Sequence, residues 1–214
     1  MAAALAEGID PEAVGEAIAL AANQEVLRDP GRLEAEGPGK PKGSVHGASV
    51  GVHASDAVNA WRNIARVSNW RNSASALIVA AWHTATRLGA AVKREPYPWA
   101  EHLQKVRSRE AGPLLRELEA AIKGQNQVQA CAVVQRYGSL GHPARPVFDV
   151  LLRFAVSEDG ALHAEKYYRT VTEEFAATRA AFRWRQLVAL ARVTASEYGQ
   201  PAPGYADSCR LLKV

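Results

Sequence analysis

The chain has 214 residues, 48% hydrophobic and 22% charged, with a formal net charge of +4 and a pI of about 9.2. That length and balance are enough for a sizeable core and exclude disorder over most of the chain. The basic excess is small and interleaved with glutamate, which disfavours a nucleic-acid binder, and every apolar run is too interrupted by polar residues to span a membrane.

The first predicted helix covers residues 9–29. Asp10 is its N-cap, Pro11 takes the first helical position, and Val14, Ala17, Ile18 and Ala21 repeat at helical spacing before Asp29-Pro30-Gly31 stops it. Residues 30–44, PGRLEAEGPGKPKGS, are predicted to form a mobile loop or linker. Helices follow over about 48–67 and 71–92. Two prolines interrupt KREPYPWAEH, and shorter helices are then expected over 98–109, 113–123, 126–137, 144–157, 161–179 and 181–198. No strand alternation and no fixed repeat is present. The fold class is therefore all-α, an irregular multi-helix bundle of eight to ten helices in a single domain, 1–214.

The two cysteines, Cys131 and Cys209, lie in dissimilar contexts and form neither a CxxC pair nor a disulfide framework, which points to a reducing cytoplasm. The start, MAAALAEGIDPEA, lacks the basic region and long apolar core of a signal peptide, and it also fits the C-terminal part of something longer.

The candidate chemistry is carried by histidine. In GSVHGASVGVHASDAVNAWRNIARV, His46 and His53 fall within about 20° of each other on a helix turning about 100° per residue. They share the stripe of Val50, Ala57, Ala60 and Ile64, provided the helix reaches back past Gly51 and Gly47. Asp56 is placed to orient His53. The third helix, with SASALIVAAWH, is apolar almost all round and is expected to be buried, carrying His83 inward. His163 and Tyr167 share a face with Thr170 and Glu174, while Tyr168, Val171 and Phe175 form the apolar one. Histidines brought inward on several helices can ligate a transition metal or haem, or exchange protons with a small, partly apolar substrate. The candidate metal ligands are His46, His53, His83 and His163, and the candidate catalytic residues are His53, Asp56, His83, His163 and Tyr167. No HExxH, P-loop, GxGxxG or GxSxG motif occurs.

Two arginine–aromatic clusters, WRNIARVSNWRN and AAFRWRQLVALARV, are expected to stack arginine over aromatic rings at helix corners. GIDPEAVGEAIALAA resembles a helix of carboxymuconolactone decarboxylase and alkyl hydroperoxidase D-like proteins, whose catalytic CxxC this chain lacks. The order EAIALAANQEVLRDPG, SVHGASVGVHASDAVNAWRNIAR, then a helix ending in AAWH resembles questin oxidase-like helical proteins over about residues 10–90. The resemblance implies an oxidase acting on a polyketide-type aromatic. The leading expectation is thus an all-α oxidoreductase with a histidine-lined pocket. The alternative is a non-catalytic helical module that self-associates or joins a larger assembly, docking by the apolar stripe of its first long helix.

Overall fold

The computed structural model describes residues 1–37, 40–45, 49–86, 94–155, 157–158, 163–196, 200–201 and 205–214. The order of elements is α1 (Ala2–Ala6), α2 (Pro11–Arg28), α3 (Val50–Arg66), α4 (Trp70–Ala85), α5 (Ala100–Lys105), α6 (Ala111–Lys123) and α7 (Gln127–Ser139). Then come α8 (Arg145–Ala155), β1 (Ser157–Glu158), α9 (His163–Ala177), α10 (Trp184–Ser196), β2 (Gln200–Pro201) and α11 (Tyr205–Leu212). Among the described residues the regular structure is all helical apart from β1 and β2, two strands of two residues paired antiparallel. Eleven helices lie among the described residues, because short helices at both ends, α1 and α11, join the nine expected from periodicity. No helix among the described residues is long and apolar enough to cross a membrane.

The helix starts follow the capping rules. Asp10 accepts a hydrogen bond from the Glu12 amide at 3.1 Å, Ser49 from Val52 at 3.3 Å, Asn69 from Asn72 at 3.0 Å and Asn126 from Gln129 at 3.0 Å. Because Ser49 caps α3, the helix begins at Val50 and His46 precedes it. The helical part of the expected stripe therefore runs from Val50 and holds His53, while His46 lies outside the described residues. Gly51 nevertheless lies inside α3 for a packing reason: a Cβ there would sit 2.3 Å from the Val26 backbone nitrogen, so α2 and α3 cross backbone to backbone.

Two apolar clusters organise the bundle. The larger is built mainly from α6, α7, α8 and α10, with Leu114, Leu118, Ile122, Val133, Leu151, Leu187 and Leu190 all buried. The smaller joins Leu5 of α1, Val14, Ile18 and Ala22 of α2, Ala54 and Val58 of α3, and Leu77 and Ala80 of α4. Helices α2 and α3 bridge them, since Val26, Leu27 and Val52 belong to the larger cluster. Of the stripe expected on α2, Val14 and Ile18 are spent on the core, whereas Ala17 and Ala21 remain exposed. The segment after α2 folds back on itself: the Arg32 amide donates to the Ser44 carbonyl at 2.9 Å and the Gly43 amide to the Arg32 carbonyl at 2.8 Å. The buried Arg32 side chain donates to Ser44 Oγ at 2.7 Å, and Gln127 reaches over from α7 to the Gly43 carbonyl.

Candidate functional site

Helix α3 carries a second, polar stripe at helical spacing: Ser55, Asp56, Asn59, Arg62, Asn63 and Arg66. It meets the polar stripe of α9 along a buried seam. At one end Thr170 donates to Asp56 Oδ1 at 2.7 Å, and Lys166 Nζ lies 3.1 Å from Asp56 Oδ2. Tyr167 is fully buried beside them, and burial, reinforced by the Asp56 charge, pushes its hydroxyl far above the usual tyrosine range. Tyr167 is therefore held in its neutral form.

Farther along, Asn59 donates to Glu174 at 3.2 Å, and Arg62 bridges Glu174 to Glu12 of α2, at 3.2 Å from Glu12. Arg62 is only 2% exposed, and Gly15 makes room for it: a Cβ at residue 15 would lie 2.9 Å from the Arg62 Nε. Arg66 completes the chain with two bonds of 2.9 Å to the Glu12 carboxylate, and Asn63 donates to Glu173 at 2.9 Å. The two ends of this chain respond oppositely to their surroundings. Hydrogen bonds and charge from Arg66 and Arg62 hold the half-exposed Glu12 below the ordinary carboxyl range, whereas burial raises Glu174 despite its pairing with Arg62. Two further ties dock α2 along the same face, since Glu16 and Asn23 lie about one and three turns beyond Glu12. Glu16 accepts from the Arg179 amide at 2.9 Å and from its guanidinium at 2.6 Å, and Asn23 donates to the Arg185 carbonyl and to Gln186, each at 3.1 Å.

The structure brings Asp56 and Tyr167 together, with half-buried His53 one turn before Asp56 on α3. His83 is half-buried on α4, which packs on α1, α2 and α3, whereas α9 packs on α3, α8 and α10. His46 and the side chain of His163 lie outside the described residues. Among the described residues, no three His, Cys, Asp or Glu side chains are grouped to hold a metal ion. The Arg62–Glu174 and Glu16–Arg179 pairs went unforeseen, although the period of three and four in the polar residues of α3 and α9 was a visible signal. The arginines of WRNIARV pair with carboxylates rather than stacking on Trp61 or Trp70, because acids from α2 and α9 reach them first. The second cluster does stack: Arg183 lies 5.5 Å from the Phe175 ring centre and Arg185 5.8 Å from that of Phe182.

A cleft of about 350 Å³ opens where the α2 N-terminus meets the corner between α3 and α4, lined by Glu12, Arg62, Arg66, Ser68, Trp70 and Leu77 among others. Its polar wall carries two arginines, Arg62 and Arg66, both paired with one carboxylate, Glu12, while Glu174, the other partner of Arg62, is buried and does not line the cleft.

Beside this cleft lies the largest departure from expectation. Helix α4 is not buried all round. Ser73, Ala76, Leu77, Ala80 and Thr84 face the core, but Trp82 is 68% exposed, Ile78 42% and Val79 40%, and Trp70 and Val67 at the corner are exposed as well. The apolar residues of α4 outnumber those its neighbours α1, α2 and α3 can cover, and among the described residues no other helix packs closely on it. No protein-family model, no curated protein and no solved structure matches the chain.

Proposed function

We propose that the protein is a non-catalytic helical module working as part of a larger assembly, joined through the outer face of α4. One observation carries this reading: the apolar middle and second half of α4 leaves Ile78, Val79 and Trp82 in water. Transferring such side chains out of water is favourable by roughly 25 cal/mol per Å² of apolar surface, so a covered state is preferred wherever a partner fits. The ion pairs of the seam between α3 and α9 support the same reading, since those charges are spent on holding helices together. The two free thiols of Cys131 and Cys209 suit a reducing cytoplasm, which is the location we assign.

The test is native sizing of the full chain in gentle extracts of its source cells. The wild type is expected to run well above its 23.1 kDa mass. Trp82→Glu is expected to drop to monomer size with its helical circular dichroism intact. A wild-type chain running as a monomer in the extract overturns the proposal.

A second reading keeps the oxidoreductase of questin oxidase-like type, acting on a small, partly apolar substrate. What favours it is the meeting of Asp56 and Tyr167 on the seam that His53 adjoins. Metal analysis of untagged protein, with His53→Ala and His83→Ala variants alongside, decides it. Metal-free protein, with no difference between the variants and wild type in binding added zinc or haem, sinks the metal-dependent version.

A further inference from the structure

Resting on that reading, we propose that what covers α4 is a second copy of the same chain, the two α4 helices packing antiparallel. The exposed residues Arg71, Ser75, Ile78, Trp82 and Ala85 follow one another at spacings of four, three, four and three, the seam of a two-helix coiled coil. The seam is polar and cationic at its start, small in the middle and aromatic near its end. No carboxylate lies anywhere on α4. A parallel pair would set Arg71 against Arg71 and Trp82 against Trp82. An antiparallel pair, with its two-fold axis between Ser75 and Ile78, sets each Arg71 over the partner copy's Trp82 and each Ile78 against the partner copy's Ser75.

That arrangement joins a guanidinium to the face of the largest ring and fits the bulky aliphatic side chain against a small one. Among the described residues Arg71 has no ion-pair partner and Trp82 no ring partner. The contact is isologous, so two copies close it and no open fibre follows. A single helix pair is smaller than the roughly 800 Å² per partner of standard interfaces, so the dimer is a concentration-dependent one.

Light scattering of the purified full chain over a concentration series is the first measurement. A monomer–dimer equilibrium is expected, and Arg71→Ala is expected to raise its dissociation constant about tenfold, since both of the two cation–π contacts are lost. Disulfide trapping in a Cys209→Ser background fixes the direction. Ser75→Cys is expected to oxidise to a covalent dimer. Ala85→Cys is expected not to, because the two Ala85 positions lie about 25 Å apart along an antiparallel pair at 1.5 Å per residue. A purified chain that stays monomeric at every concentration overturns self-pairing. So does equal trapping at both positions, or an Arg71→Ala dimer as tight as wild type. A purified monomer that still runs large in cell extract overturns the second copy alone, whereas a monomer in both settings overturns the assembly reading as well.

Discussion

The two clusters of the bundle hold together by different means. Around α7 and α10 the helices meet through leucine, valine and aromatic side chains, with Tyr137, Phe175 and Trp184 in ring contact and, apart from the buried Arg192, most charged residues turned outward. Around α2, α3 and α4 the core is lean, much of it alanine, and the helices are instead clamped by buried charge: Arg62 to Glu174 and Glu12, and Glu16 to Arg179. The first region turns its apolar residues in. The second turns ions in and leaves part of its apolar surface out. The lesson is that apolar content and burial are separate quantities. Burial is decided by which neighbours a helix has, and α4 has them on one side only.

Arg62→Ala is the sharpest way to break this comparison. It strands Glu174 in the interior, and removing one partner of a buried pair costs about 3–5 kcal/mol. Urea unfolding should show a loss of that order, and a loss below about 1 kcal/mol would mean that the clamp is not what holds the smaller region. In the larger region Leu187→Ala is expected to cost about 2–5 kcal/mol by opening a cavity, read in the same way.

The pH dependence sharpens the contrast within the clamp itself. Glu174 sits above its ordinary value of 4.5, so the folded state binds its proton more tightly. Its stabilising contribution is complete below pH 4.5 and is lost as pH rises through the raised value. Glu174→Gln should therefore flatten a decline in stability on the alkaline side of that window. Glu12, held below 4.5, has the opposite sign: its contribution is present above that pH and is lost on acidification, so Glu12→Gln should flatten the acid limb. Matching profiles for the two variants would contradict the opposed shifts. The smallest effect is expected at the outer face of α4, where Trp82→Ala should leave monomer stability within about 0.5 kcal/mol of wild type. A larger drop at protein concentrations too low for dimers would mean that Trp82 belongs to the fold.

Much of the architecture was legible in the sequence. Asp10 begins α2 as a capping residue should, and the predicted bounds of 113–123 and 126–137 lie within two residues of α6 and α7. Other features needed the third dimension. Period alone reports that Tyr167, Thr170 and Glu174 share a face of α9, but not that this polar face is an interior one, because burial is a property of the opposing helix. The same gap made α4 look buried. It also hid Arg62, whose partners lie 50 and 112 residues away in the chain. The candidate site was legible only in part: Asp56 and Tyr167 do meet, while the remaining histidines are not shown gathering around them.

Arg192 has a consequence for how the molecule comes apart. From α10 it donates to the Val26 and Asp29 carbonyls at the end of α2 and to Gln127 of α7 at 3.1 Å, while its guanidinium lies 4.6 Å from the Tyr97 ring centre. The last turn of α2 is thus satisfied by a side chain from the far cluster rather than by water. Fraying of α2 at that end exposes a buried guanidinium and the α2 carbonyls together, so it is coupled to the loosening of α10. In hydrogen exchange the amides of the α2 C-terminal turn and of α10 should open as one cooperative unit, tying the lean half of the bundle to the lifetime of the dense one.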